Sequence, residues 1–523
     1  MDINCWIRTS FIILFLTTLS IPVAGHADIY AGQIDTNFGT GGIVDVHIPL
    51  NHNDERHDRE DVRVFDVKQD VNGNFFITGI VAHGNRGGPL WSWNTAYLAK
   101  LTPMGGLDAT FGNGGVVYLQ EHDANQGEHP RMAIQSNGKI IVAYGVSGEN
   151  NGLGFMRLAR YNSNGQRDET FLGEEALSDS IWQSLEDSPR NGQLVISRID
   201  DILALNDDKV AILTDGRIFQ LNENGSLDNA FGEGGYAFLN MDASSDGRII
   251  PFEANGVGKI LVAYPNLRWD EPGRLDIRQY FSNGHIDPEF QPGENPVQLA
   301  LNVNGSPVRL LRLFVQPSNG TNKILTLGLI HEDNPRNQDC VVARFTMDGI
   351  LDPTFNNNGY TVLERPDGPE SCEDLILEDQ RLIVIGSSPS AGIILFGLNQ
   401  NGQVDDFFRG HRMSMPRIRS FTWGYDAFVK NYENVPYIIL IGGDYNGTRP
   451  GTASVIRYHL REQDDGPGNF AVEPPANAAQ NRNSGHSYNT LGKSKPKKSP
   501  SGKDEKQDSK KKNTGNVLRR LGQ

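Results

Sequence analysis

Residues 221–238 read LNENGSLDNAFGEGGYAF, and this stretch decides the architecture. Asn224-Gly225 supplies the two residues that best tolerate positive φ in a tight turn. Asp228-x-x-Phe231 follows, then a Gly-rich step, then a short strand ending at Phe238. The Asp-x-x-Phe core recurs seven times, at Asp35/Phe38, Asp108/Phe111, Asp168/Phe171, Asp228/Phe231, Asp287/Phe290, Asp352/Phe355 and Asp405/Phe408. Successive Asp residues are 73, 60, 60, 59, 65 and 53 positions apart. A repeat on the order of 40–60 residues built from short strands marks a radial repeat protein, not one globular enzyme fold.

Each repeat carries a second marker, an Ile/Val/Leu-rich run after a polar turn: 74–79, 139–145, 209–214, 259–265, 323–328, 381–386 and 437–442. Short apolar runs bounded by Gly, Asn or Pro read as strands buried on both faces. A third marker follows each run, at 97–101, 156–161, 217–221, 276–281, 341–346, 393–398 and 454–460. In several of these polar and apolar residues alternate, as in Leu158-Ala159-Arg160-Tyr161, the pattern of a strand with one face more exposed. With the strand before each apolar run, as at 63–70, 131–135 and 309–316, and the strand after the Gly-rich step, the repeat has four strands. That is one propeller blade.

The markers are out of phase by one. The first Asp-x-x-Phe has no strand before it, and the last strand, 454–460, has no Asp-x-x-Phe after it. A ring repairs the mismatch if residues 32–46 supply the missing turn and outer strand of the seventh blade, removing the open edges of a linear stack. The chain is expected to be all-β: a seven-bladed propeller over 28–461, closed by its N-terminal strand and followed by a basic tail over 462–523.

The segments YNSNGQRDETF (161–171), LNENGSLDNAFGEGGYAF and TMDGILDPTFNNNGY (346–360) resemble the bacterial delta-60 repeat. The resemblance spans roughly residues 32–460 and implies a β-propeller; it implies no enzyme activity. Blade six departs from the pattern, because Asp405-Asp406-Phe407-Phe408-Arg409 lacks the Gly-Gly step.

Residues 1–27 read as an export signal, with Arg8 before a mostly apolar run of 14 residues, 11–24, and small residues at Gly25 and Ala27. The run is short for a bilayer-spanning helix, and cleavage is expected near Ala27. The mature chain is expected to carry no transmembrane helix and to be exported, whether to periplasm, medium or cell surface. The chain as a whole carries −16, whereas residues 481–523 carry twelve Lys/Arg against three acids. Lys493–Arg520 offers almost nothing apolar, so it is expected to be disordered. It either solubilises the protein or holds an anionic surface.

The seven Asp residues are expected to cap backbone N–H groups while each Phe fills the gap between neighbouring blades. The rival reading, calcium at turns such as Asn162-x-Asn164-Gly165-x-x-Asp168, lacks the terminal Glu of a calcium loop. Unrepeated residues are better candidates for function. In the inferred strand order, the loops joining blades share a face with those between each apolar run and its following strand. Their lengths vary widely, whereas the Asp-x-x-Phe turns opposite them are nearly constant, which marks the variable face as the binding face. Trp91, Trp93 and Trp269 lie in these loops, and Trp182 lies between blades two and three. Large flat side chains there suit peptide or sugar contact, with ordinary loop packing as the alternative. His52 and His57 in one loop and His122 and His129 in the next, among carboxylates, suit zinc or another transition metal, against a merely solvated acidic loop. Cys340 and Cys372 remain after signal removal and fall towards the variable face of adjacent blades; a disulfide there needs Cα atoms within about 7 Å.

No Gly-x-Ser-x-Gly and no His-Glu-x-x-His occurs. The leading reading is therefore an exported, non-enzymatic binding or scaffold protein without a cofactor, holding a protein or glycan on the variable face. The rival is an exported hydrolase or lyase with acidic and His residues at the mouth of the central channel.

Overall fold

The computed structural model describes residues 31–48, 59–84, 93–119, 130–147, 154–172, 199–205, 207–214, 216–239, 247–254, 256–266, 274–290, 296–317, 322–331, 338–363, 371–378, 381–388, 392–405, 421–432, 435–444 and 452–460. All lie in one compact unit, Met1–Asp465; a second unit, Gly466–Gln523, contains none of them.

The described residues form seven small antiparallel sheets and no helix. Blade one comprises β2 (Arg59–Gln69), β3 (Phe75–Gly84), β4 (Trp93–Leu101) and β5 (Val116–Tyr118), hydrogen-bonded in that order. Blade two comprises β6 (Arg131–Ile134), β7 (Ile140–Ser147) and β8 (Gly154–Tyr161). Blade three runs through β9 (Ile199–Ala204), β10 (Val210–Thr214), β11 (Arg217–Leu221) and β12 (Tyr236–Phe238). Blade four runs through β13 (Arg248–Ala254), β14 (Val257–Asn266), β15 (Arg274–Phe281) and β16 (Val297–Ala300). Blade five adds a two-residue strand, β17 (Asn302–Val303), paired with the start of β18 (Ser306–Gln316), to the run β18, β19 (Lys323–His331), β20 (Gln338–Thr346) and β21 (Tyr360–Leu363). Blade six has β22 (Ser371–Glu378), β23 (Arg381–Ser388) and β24 (Gly392–Asn399). In blade seven, β25 (Phe421–Tyr432), β26 (Val435–Asp444) and β27 (Thr452–His459) are completed by β1 (Ile43–Val46).

The N-terminal closure therefore has the inferred form. β1 pairs with β27 in the register Ile43↔Ile456 to Val46↔Ala453. The uniform four-strand blade does not hold: among the described residues, blades two and six have three strands and blade five has five. In blades one, three and five the step after Phe turns the chain into the outer strand. Gly112, Gly114 and Gly115, and likewise Gly232, Gly234 and Gly235, all take positive φ and turn the chain into the outer strand. Asn356, Asn357 and Gly359 do the same in blade five. In blades two and six the residues that follow Leu172 and Asp405, where an outer strand would fall, lie outside the described residues.

The core lies between the blades. Seven clusters of buried side chains are found, one at each interface of consecutive blades, including the interface of blade seven with blade one. An open arc of seven blades would have six. β3 shows why the second strand of a blade is apolar throughout: Phe75 and Ile77 pack towards blade seven, while Phe76 and Ile80 pack towards blade two. The first strands, β2, β6, β9, β13, β18, β22 and β25, touch one another in sequence, and β25 touches β2 again. They form the innermost ring. Cys340 on β20 and Cys372 on β22 are bonded across blades five and six, with Cα atoms 5.4 Å apart.

Candidate functional site

The described Asp-x-x-Phe turns form one constant face, and in six of them the Asp is anchored in nearly the same way. Its Oδ1 accepts the amide N–H two residues on, from Asn37, Thr110, Thr170, Ala230, Glu289 and Thr354 at 3.0–3.1 Å. Its Oδ2 takes a donor from the third strand, eight residues earlier. The donor is Arg160 for Asp168 and Arg344 for Asp352, Gln220 for Asp228 and Gln279 for Asp287, and Lys100 for Asp108. A cation at the start of the second strand joins it: Lys139, Lys209, Lys259, Lys323 and, for Asp405, Arg381. In blade six the residue eight positions before Asp405 is Gly397, and Arg381 donates to Asp405 Oδ2 at 2.7 Å. Burial by itself would raise the Asp168 carboxyl. Lys139, the hydroxyl and amide of Thr170, and Arg160 together hold it well below the usual carboxylate range.

The same Arg also binds the Phe of its motif. Arg160 lies 4.6 Å from the Phe171 ring centre, Arg344 4.9 Å from Phe355 and Arg457 4.4 Å from Phe38. The Arg side chain then reaches the next blade: Arg160 Nη1 donates to the Glu223 carbonyl, and Arg344 Nη1 to the Gln400 carbonyl at 2.8 Å. The residue after Phe donates its N–H to the Asn carbonyl of the neighbouring Asn-Gly turn, as in Gly112 to Asn164 at 2.8 Å and Leu172 to Asn224 at 2.9 Å. Asp35 and Arg457 make the equivalent clasp between residues 422 positions apart, at 2.8 Å from Nε.

A second clasp rings the centre, and sequence reasoning missed it. First strands carry a register shift at 64/66, 199/201, 310/312 and 372/374, with two further shifts over 421–426. Asp66 and Asp201 lie just past such shifts, and each accepts an N–H of the next blade, Met132 at 2.8 Å and Ile249 at 3.0 Å. Buried Arg131 spans three blades, donating to the Phe65 carbonyl at 2.7 Å and the Asp200 carbonyl at 3.0 Å. The signal was present: Asp66-Val67, Asp201-Ile202, Asp374-Leu375 and Asp426-Ala427 recur at this point of four first strands.

Between blades four and five the constant face opens into a cleft of about 640 Å³. Gln279, Asp287, Glu289 and Phe290 line one side, Thr346, Met347 and Asp348 the other, and Glu253, Lys259 and Lys323 also border it. Asp287 is fully buried. Burial would raise its carboxyl, but Lys259, the Glu289 amide and Gln279 outweigh that and lower it.

The variable face is built from hairpins of unequal reach. From equivalent starting points, β3 runs ten residues and β10 five. At about 3.3 Å per residue, blade one rises roughly 16 Å above blade three. Trp93 begins β4, in register with His83. Trp91, Trp182, Trp269, His52, His57, His122 and His129 lie outside the described residues, as do the signal segment and the basic tail. Among the described residues, no group of three or more His, Cys, Asp or Glu is placed to hold a metal, and no helix is long and apolar enough to cross a membrane.

Residues 135–171 match the model of a β-propeller domain of unknown function, DUF5122; the match covers β7, β8 and the Asp168/Phe171 turn. No curated protein matches the chain. Among solved structures it is similar to a lectin from Burkholderia pseudomallei, at 11% identity over 79% of this chain and 100% of that one, TM-score 0.40. It is also similar to the β-propeller domain of the Trilobed protease from Pyrococcus furiosus, at 10% identity over 78% and 96%, TM-score 0.38. A third similar structure is an α-L-arabinofuranosidase from Fusarium graminearum, at 9% identity over 83% and 98%, TM-score 0.35.

Proposed function

We propose that this β-propeller is an exported, non-enzymatic binding or scaffold protein that holds a protein or glycan ligand on its variable face. The observation that carries the reading is the division of labour between the two faces. On the constant face the motif carboxylates are committed to the chain's own cations and amides, as the Asp168 and Asp352 clasps illustrate. Such carboxylates make architecture. On the other face the hairpins differ in reach from blade to blade, from ten residues in β3 to five in β10.

Trp93 at the start of β4, Trp91 two residues before it and Trp269 after β14 of blade four are the aromatic residues this reading assigns to the contact, of the kind that dominates binding energy at such faces. The test is a glycan and peptide array probed with the full mature chain, followed by titration of each hit. The expected result is saturable binding without ligand turnover, weakened at least tenfold by Trp93→Ala with Trp269→Ala. Hits that are cleaved, or that bind the double variant equally well, overturn the reading.

A further inference from the structure

The cleft between blades four and five is the seat of a side chain that the repeat supplies elsewhere. At the seam after blade two, Arg160 fills this position: it binds Asp168, stacks on Phe171 and donates to the Glu223 carbonyl of the next turn. Arg344 does the same after blade five, with Asp352, Phe355 and the Gln400 carbonyl. In blade four the equivalent residue is Gln279, and the equivalent of Glu223 and Gln400 is Met347. The carboxylate and the Phe ring are retained as Asp287 and Phe290, but among the described residues no guanidinium lines the cleft.

Blade three also has Gln, at Gln220, yet its seam is closed by other means. Gly232 donates to the Asn283 carbonyl at 2.8 Å, and a Cβ on Gly284 would lie 2.9 Å from the Phe231 ring, so turn and ring are in contact. After blade four, Phe290 is followed by Gln291-Pro292 in place of the Gly step, and Gly349 packs on Val297. The cleft lies at this seam. Gln279 is 96% buried, lines the cleft and gives its amide N–H to Asp287, while its Oε1, like that of Gln220, has no hydrogen-bond partner among the described residues. A buried carbonyl oxygen left unpaired costs stability and calls for a donor. Around it stand Glu253, Asp287, Glu289 and Asp348 against Lys259 and Lys323, an acidic balance of four to two. Lys259 is no obstacle, since Asp168 and Asp352 each accommodate both a Lys and an Arg.

We propose that this cleft binds the guanidinium group of an arginine side chain presented by a peptide. The guanidinium stacks on Phe290, donates to Gln279 Oε1 and the Met347 carbonyl, and is attracted by Glu289 and Asp348. Its planar fork of donors matches that set in a way a lysine ammonium does not. The site lies on the constant face and is independent of the ligand proposed for the variable face.

The test titrates N-acetyl-arginine amide into the full chain by calorimetry or ligand-observed NMR, with the lysine and citrulline amides as controls. Saturable binding of the arginine probe is expected, at least tenfold tighter than either control. Gln279→Arg, which installs the guanidinium found at Arg160 and Arg344, is expected to abolish binding while the protein remains folded by thermal melting. Asp348→Asn at the exposed rim is expected to weaken binding severalfold and to make it less salt-sensitive. Absence of saturable binding, equal binding of citrulline, or unchanged affinity in folded Gln279→Arg or in Asp348→Asn each overturns the proposal.

Discussion

At the residue scale, an acidic group repeated seven times works as a structural anchor because its charge is neutralised within a hydrogen-bonded turn. Asp168 shows the arrangement in full, with Oδ1 on the Thr170 amide and hydroxyl and Oδ2 between Lys139 and Arg160. Arg160 is only 3% exposed, so removing the carboxylate charge strands a buried cation. Asp168→Asn keeps the cap but not the charge, and a loss of about 3 kcal/mol in unfolding free energy is expected by urea titration. Arg160→Gln is expected to cost only about 1 kcal/mol, because Gln already does this work at Gln220 and Gln279. A larger loss from Arg160→Gln than from Asp168→Asn would show that the stacking on Phe171, not the ion pair, dominates the clasp.

At the scale of the element, the Asn-Gly turn has two separate requirements, and two glycines separate them. Gly138 has φ +78° and open space around its missing Cβ, whereas Gly225 has φ +87° and a Cβ there would lie 2.8 Å from the Phe171 ring of the preceding blade. Gly138→Ala is expected to cost about 1 kcal/mol, for the left-handed backbone alone. Gly225→Ala carries the same backbone cost plus the displacement of a packed aromatic ring, about 2–4 kcal/mol in all. Denaturant midpoints of the two variants measure the difference, and equal losses would mean that the blade interface yields without resistance. The repeat was legible because both requirements leave marks in the chain: Gly where φ must be positive, and Phe at a fixed distance. The central clasp of Asp66 and Asp201 was overlooked because its meaning depends on the β-bulge beside it, and a bulge has no residue signature of its own.

At the scale of the whole molecule, closure joins the two ends of the described chain, and its acid response follows from the groups at the seams. The carboxyls of Asp108, Asp168, Asp228, Asp287 and Asp352 are all held low, so the stability they contribute is present above the unfolded value near 3.9 and is lost as pH falls below it. His459, at the closing seam, is lowered first by burial and further by Arg457, against an opposing pull from Asp35. Its contribution is present above about pH 6.5 and is lost as pH falls through its depressed folded value. Thermal melting between pH 8 and pH 3 is therefore expected to show a shallow decline beginning near pH 6.5 and a steep one below about pH 4. His459→Gln should flatten the shallow step and leave the steep one; persistence of the shallow step would place its origin elsewhere.

The sequence by itself determined the number of blades, the strand order within them and the closure by residues 32–46, because each is a matter of period and phase. A ring of identical units repeats its marks along the chain, and a repeat can be counted. It also located the constant turns, since Asp, Phe and Gly at fixed spacing act through short-range geometry. Only the tertiary structure decided that an Arg eight residues before the Asp, where the repeat has one, crosses to the next blade, as with Arg160 and Glu223, and that the seam after blade four, with Gln279 at that position, carries a cleft. That cleft is a difference between neighbours in space, produced by Gln279, Phe290 and Met347 from adjacent blades, and nothing in the spacing of a single repeat records which of its side chains will meet a partner 60 or more residues away.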